Sequence, residues 1–546
     1  MAAHNETAAI PAQGLLQSLS PWYPIVLLPL LTLLALQPWR TSKEPPSLRA
    51  TIPYISNGYQ FLADKAKFFK RLEKAFQKAN IIKFNIGPKI VYMVSGANNI
   101  QNLFRSGHGI SDDIMLRVAA DSVWELDPED KARLMGDKTG RSKVPNPGYE
   151  HVPAHERYWA ATHEIYEKFL SNKEYYNASA KKYFEVFSAR LEKFPLGEWT
   201  TVSLTNVFLD DMTHSAVTAL MGERILSLNP GFVEHYWTFE RYLVEYLAGL
   251  PRWLNPRPYR ALDNFKAMTS RWVENAWEGF DWDGPDAEAA WDPHFGARVM
   301  REISRWWKGN FGLKGQAGFY ASLILAQNSN TVPAAMWCIV HLIEDRDLYR
   351  AVQDEFATAI VVDPATGERT LDAPTLGAAP LLNALYTETL RYHVTFNVMR
   401  EVSGDDTRMD GYDLRKGAWI QASTQIAHFE ESVWGREGHP ASEFWIGRFL
   451  EYDEGEKVPR FNGSMRPGSF FPYGGGAAMC PGRQFARLEI LITVALLVSK
   501  FDIESLEWMF PDGRESDRRG KPDESVTGSG VLRPDRDMKV RWKRLW

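Results

Sequence analysis

The sequence predicts a mainly α fold with minor β (α+β), built as one large unit spanning residues 54–546 behind an N-terminal membrane anchor. Three observations lead there. Apolar residues recur at helical spacing in HERYWAATHEIYEKFL (155–170), FYASLILAQNSNTVPAAMWCIVHLIED (319–345), PLLNALYTETLRYH (380–393) and RQFARLEILITVALLVSKF (483–501). Strand candidates are few and short: IIKFNIGPKIVYMVS (81–95), GAWIQAS (417–423) and MKVRW (538–542). After residue 53 there is no second long apolar run, no low-complexity tract and no repeat period, so a chain of 546 residues is read as a single large unit.

The elements are justified in chain order. Residues 1–21 form a tail and 22–39 the anchor, because Trp22 to Leu36 reads WYPIVLLPLLTLLAL, apolar apart from one threonine. That run is shorter than the roughly 20 residues that span a bilayer comfortably, but tryptophans at both ends suit the interfaces. A cleaved signal peptide is the rival; no small-residue cleavage site follows, and a proline-rich hinge (40–53) does. Arg40 and Lys43 just after the run place the bulk of the chain on the cytoplasmic side. Polar Gly/Pro-rich stretches at 126–150, 280–296, 361–380 and 510–536 read as surface loops. A net charge of -5 recommends no nucleic-acid partner. Cys338 and Cys480, the two cysteines, form neither a disulfide framework nor a zinc site, which points to a reducing compartment.

The segment FPYGGGAAMCPGRQFARLE (471–489) carries the chemistry. Three consecutive glycines let a backbone turn sharply and approach a flat surface. Pro481 suits the first position of a helix, which puts Cys480 at a helix N-terminus where amides and macrodipole favour a thiolate able to bind a metal. For a lone cysteine the plain alternative is a buried structural residue. The spacing decides: YGGGAAMCPGR resembles the haem-binding loop of the cytochrome P450 superfamily, with Tyr473 in place of the usual phenylalanine and Gly474, Gly476, Cys480 and Gly482 matching.

The resemblance implies a cytochrome P450 fold and haem b with Cys480 as axial iron ligand. It extends to Glu388 and Arg391 as the Glu-x-x-Arg pair, with Arg448 of PASEFWIGRF as a second guanidinium on the same carboxylate behind the haem. In the distal helix, Ala326 holds the first position of the motif that assists protonation of dioxygen. Gln327 replaces the glycine, Ser329 the acid and Asn330 the threonine, and Thr331 follows. This departure resembles the branch of the bile-acid hydroxylases and prostacyclin synthase, where Pro and Trp follow as Pro333 and Trp337 do here. Pro333 cannot donate to the carbonyl of Ser329, so a bend and a free acceptor are expected there. The basic residue usual two before the cysteine is Ala478; Arg400, and Trp159 with His163, are the candidate replacements at the haem propionates.

Together these features imply a monooxygenase that oxidises a lipophilic small molecule, such as a steroid, terpenoid or other secondary metabolite. It would use O2 and electrons from NADPH through NADPH-cytochrome P450 reductase. Thr395 and Phe396 are expected in the substrate pocket, and the small residues Ala321, Ser322 and Ala326 leave room over the haem. Arg483 and Arg487, four apart on one helix, are the expected start of a reductase-docking patch. The setting is a single-pass anchor in the endoplasmic reticulum membrane, in contact with lipid, with a monomeric catalytic domain facing the cytoplasm. A reductase-independent isomerase that rearranges a peroxide, and a membrane-tethered haem sensor, are the competing readings.

Overall fold

The computed structural model describes residues 43–546 apart from 106–108, 249–250, 366, 368, 456–457, 465 and 525–528. The tail, the anchor and the first residues of the hinge lie outside the described residues, and no described helix is long and apolar enough to cross a membrane.

The strands of the two larger sheets are β1 Ile81–Ile86, β2 Lys89–Val94, β3 Ile110–Ser111, β4 Trp199–Ser203, β5 Val394–Val402, β6 Trp419–Ser423, β7 Phe501–Met509, β8 Ser529–Val531 and β9 Asp537–Arg544. The stretch 81–95, read as one strand candidate, is an antiparallel hairpin with Ile86 opposite Lys89. Gly87, at φ +56°, makes the two-residue turn possible. The six-stranded sheet runs β1-β2-β6-β5-β8 with β3 on the flank of β5; β2 and β6 are parallel and the other pairs antiparallel. A three-stranded sheet runs β7-β9-β4.

The helices that frame the site are α1 Lys65–Phe76, α2 Ala97–Phe104, α3 Ile114–Ala119, α4 Tyr158–Leu170, α5 Lys173–Leu191, α6 Thr213–Met221, α7 Pro256–Gly279, α8 Leu313–Glu344, α9 Pro380–His393 and α10 Arg483–Lys500. α8 is buried along almost its whole length, which is why it shows no amphipathic stripe. It packs against α7, α9 and α10. Near its start Phe319 stacks on Trp307 at 4.0 Å between ring centres, and Trp124 meets both rings edge-on. α10 is likewise buried from Leu488 to Val498, so the segment that follows the cysteine is held by core packing.

Three sequence expectations change. α10 begins at Arg483 with Gly482 as its N-cap, so Pro481 belongs to the preceding turn, not to the helix. α8 starts at Leu313, six residues before the periodic stretch. The stretches 126–150 and 510–536 are not plain loops. The first contains a helix at Pro128–Gly136 and the second contributes β8 to the main sheet.

Candidate functional site

The cysteine loop is closed by the Cys480 amide, which donates to the Tyr473 carbonyl at 3.0 Å. Burial pushes the Cys480 thiol up; the amides of Gly482 and Arg483 and the Arg483 charge oppose it. Although the helix starts later than expected, its first amides therefore still address the sulfur. The glycine run has a more specific reason than a flat partner. A Cβ on Gly475 would strike the Phe104 ring at 2.4 Å, and one on Gly476, at φ +68°, would meet the Phe104 carbonyl at 2.0 Å. The close neighbour of these two glycines is the end of α2. Gly474 (φ +73°) faces the cavity instead.

Tyr473, at the usual phenylalanine position, spends its extra hydroxyl on Tyr386 of α9 at 2.5 Å. Burial raises both phenols. The bond ties the cysteine loop to the helix that carries Glu388.

Above the loop, two adjoining lobes of about 300 and 340 Å³ open between α8 and α10. Ala326 and Thr331 of α8, Cys480, Ala478 and Ala486 of the loop and α10, and Leu116 and Arg141 line both. The first lobe continues past Asn330, Phe396, Val398, Arg400, Gly474 and Val531. The second continues past Trp124, Trp159, His163, Phe319, Gln327 and Glu489. Small side chains on one wall and the cysteine on the other make this a slot.

Not every expected residue reaches the slot. Asn330 lines the first lobe, but its Oδ1 accepts from the Val531 amide at 3.0 Å, so it clamps α8 to β8. Ser329 and Thr395 lie off both lobes; Thr395 Oγ1 donates to the Gly530 carbonyl at 3.2 Å and Ser329 is approached by the Asn330 amide at 3.4 Å. Phe396 does line the cavity. Trp159 is buried in the second lobe, where His163 sits 3.4 Å from Glu167.

The cations answer the gap at Ala478. Arg400 is 4% exposed; it donates to the Met399 carbonyl at 3.0 Å and the Gly475 carbonyl at 3.1 Å, while its Nε has no hydrogen-bond partner among the described residues. Desolvation lowers its pKa, and Asp112 counters this. Arg141 lines both lobes, donates to the Asp112 carbonyl at 3.0 Å, and turns its Nε toward Asp113 Oδ1 at 3.6 Å and Asp112 Oδ1 at 3.8 Å. Burial and the neighbouring Asp112 raise Asp113. In sequence the stretch 126–150 reads as a surface loop, which hides Arg141. A buried Arg400 whose Nε makes no hydrogen bond, a partly buried Arg141 beside it, a thiol flanked by amides and a slot walled by alanine and threonine fit a flat, anionic, metal-centred plate.

Behind the loop, Glu388 accepts from Arg391 Nε and Nη2, both at 2.7 Å, from the Trp445 amide at 2.8 Å and from Arg448 Nε at 3.4 Å. All three charged side chains are at most 5% exposed. Arg391 also donates to the carbonyls of His428 (2.9 Å) and Ala441 (2.8 Å), and Arg448 to those of Trp434, His439, Pro440 and Glu443. The two forks thus gather the 428–448 segment around α9. Arg487 is similarly committed, to the Gly377 carbonyl and Asn383 Oδ1; Arg483 donates to the Cys480 carbonyl at 3.0 Å and lines an adjoining cleft of about 1140 Å³ with Arg105, Phe104 and Met479.

The family model for cytochrome P450 matches residues 320–516. A cytochrome P450 monooxygenase named calL from Penicillium decumbens is 46% identical over 92% of this chain and 94% of its own length. Another, fsoE from Humicola fuscoatra, is 26% identical over 92% of this chain and 88% of its own. The cholesterol 7-alpha-monooxygenase of Cricetulus griseus is 28% identical over 42% of this chain and 45% of its own. Among solved structures, a retinoic-acid-bound cyanobacterial CYP120A1 matches with a TM-score of 0.60 at 19% identity, covering 93% of this chain and all of that one.

Proposed function

From the premise that this chain belongs to the cytochrome P450 family, we infer that it is a haem-thiolate monooxygenase acting on a lipophilic secondary metabolite, with electrons from NADPH-cytochrome P450 reductase. The observation that carries this reading is the slot itself, with Cys480 on one wall, Ala326 and Thr331 on the other, and Arg141 and Arg400 beside it.

Bound there, haem b supplies the oxidising chemistry that places one atom of O2 into a C–H bond. The chain's residues do the rest. Cys480 would hold the iron through its thiolate, with the Gly482 and Arg483 amides stabilising its negative charge. Arg400, with its free Nε donor, and Arg141 beside it would hold the propionates, and Trp159 and His163 would line the same plate. Glu388, Arg391 and Arg448 would hold the scaffold behind the ligand. Ala326 would leave space for the substrate, and Asn330, through Val531, would fix α8 against β8. Phe396, Met115 and Val531 would present an apolar wall to the substrate, with Thr395 supporting it from outside the cavity.

Residues 22–39 would anchor the chain in the endoplasmic reticulum membrane, followed by the 40–53 hinge, with a monomeric domain on the cytoplasmic side where a lipophilic substrate partitions. Arg483, on the rim of the large cleft, is the docking residue we assign to the reductase, without Arg487. Relatives named as monooxygenases over almost the whole chain favour this reading over a peroxide rearrangement. The test is the carbon monoxide difference spectrum of purified protein, reduced with dithionite and separately with NADPH and reductase. A thiolate–CO band under both supports the reading. A band with dithionite alone points to reductase-independent chemistry, and none from haem-loaded protein sinks the assignment of Cys480.

A further inference from the structure

Haem b carries two propionate carboxylates, so the end of the slot that receives them has to supply positive charge. Resting on the assignment of haem to this slot, the puzzle is that the same end already holds two acids. Asp112 lines the first lobe with Arg141 and Arg400, and Asp113 lines the adjoining cleft with Asp112 and Arg141. β3 places them there: Ile110 pairs with Val402 and Ser111 with Glu401, the neighbour of Arg400 on β5, and the chain then turns into α3.

The two acids are poorly satisfied. Asp113 Oδ2 accepts from Ser111 Oγ at 3.2 Å, but Asp113 Oδ1 and Asp112 Oδ2 are buried without a hydrogen-bond donor among the described residues. Arg141 Nε stays 3.6 Å from Asp113 Oδ1 and 3.8 Å from Asp112 Oδ1, too far for a hydrogen bond. Arg400 gives its Nη atoms to the Met399 and Gly475 carbonyls. The other charges around the pair are committed elsewhere or line the cleft: Arg117 of α3 and Lys89 of β2 pair with Glu401, Arg483 donates to the Cys480 carbonyl, and Arg105 lines the cleft. Adjacent carboxyls in a partly buried site do not both ionise cheaply, and burial, followed by the Asp112 charge, raises Asp113. Two propionates would set four carboxyl groups against the guanidiniums of Arg141 and Arg400.

We propose that haem docks here together with one proton, shared between the Asp112–Asp113 pair and a propionate. The proton comes from solvent: an O–H bond forms on one aspartate oxygen, which donates to the propionate, and no electrons move. The added propionate charge makes the pair keep its proton to higher pH in the haem-loaded chain than in the haem-free one. Haem is therefore held more tightly at lower pH, and the grip weakens as pH rises through that window. An asparagine amide in place of either acid would imitate the protonated carboxyl at every pH.

The test uses the full, haem-loaded chain and reads the rate of haem transfer to excess apomyoglobin from about pH 6 to about pH 9, for wild type and for D112N/D113N. The ratio of the two rates cancels pH effects on the rest of the molecule, the cysteine included. Wild type over variant should climb about threefold per pH unit within that range, one linked proton allowing at most about tenfold. A level ratio overturns the proposal, because a purely structural role of the acids would change the rates but not their pH dependence. Should the variant not load haem, infrared spectra of the haem-loaded wild type with ¹³C-labelled aspartate decide. A protonated-aspartate band that disappears over the pH range in which haem transfer accelerates supports the shared proton, and the absence of any such band at about pH 6 overturns it. A wild type that takes up no haem overturns the haem assignment and this proposal with it, whereas a haem-loaded wild type with a level ratio overturns the proposal alone.

Discussion

Replacing Glu388 by glutamine keeps the shape of the site and deletes its charge. The carboxylate accepts two 2.7 Å bonds from Arg391, one from the Trp445 amide and a longer one from Arg448. Glutamine would turn an N–H₂ toward one arm of a guanidinium, setting donor against donor and removing at least one charge-assisted bond worth about 1.5–3 kcal/mol. It would also leave two buried guanidiniums without a counter-charge, and breaking a buried pair costs about 3–5 kcal/mol. The carbonyls of His428 and Ala441 still receive Arg391 and limit the damage, so a total of about 3–5 kcal/mol is expected. At an m-value of about 3 kcal/mol/M in urea, that is a midpoint shift of about 1–1.7 M, measured by circular dichroism at matched haem loading. Haem release should accelerate with it, because the 428–448 segment loses its anchor. A midpoint within about 0.3 M of wild type would refute the reasoning that the three charges act as one buried unit.

Tyr473→Phe strands the buried Tyr386 hydroxyl and should cost about 1–3 kcal/mol in urea unfolding, while the Y386F/Y473F double variant removes both polar groups and should recover most of it. Arg141→Ala and Arg400→Ala should each speed haem transfer to apomyoglobin, and the pair together should do so more than additively if both carry the propionates. Glu489 also sets a pH slope on stability. Its folded pKa, about 8, lies above the unfolded value of 4.5, so the unfolded chain binds fewer protons and stability falls between those limits. Denaturation midpoints of E489Q relative to wild type should therefore improve from about pH 4.5 to about pH 8 and level off beyond.

Some of this site is readable residue by residue, because the reasons are local. The glycine run, Cys480 and the Glu388–Arg391 spacing lie within short windows whose backbone demands show in the residue types. Glu489 was equally visible as the lone acid in LEILITVALLV, a charged residue inside an otherwise apolar helix, yet nothing local says what it faces. Arg141 was hidden for a different reason. It sits in a polar stretch that looks like any surface segment, and only the packing of that stretch against the slot brings its cation to both lobes. The glycines show a third case: the need for small residues was legible, while the neighbour that imposes it at Gly475 and Gly476, Phe104, is some 370 residues away in the chain.

The sequence by itself determined the mainly helical class, because periodicity acts over a few residues, and it singled out the cysteine loop and Glu388 with Arg391 through their resemblance to cytochrome P450 motifs. Only the tertiary structure decided that α10 starts at Arg483, that Asn330 is engaged by Val531, that Ser329 and Thr395 face away from the slot and that Arg487 is already bonded. Those outcomes depend on which side of a helix or strand meets a partner distant in sequence. A rotation of one residue moves a side chain by about 100° on a helix or to the opposite face of a strand, and that phase is set by packing.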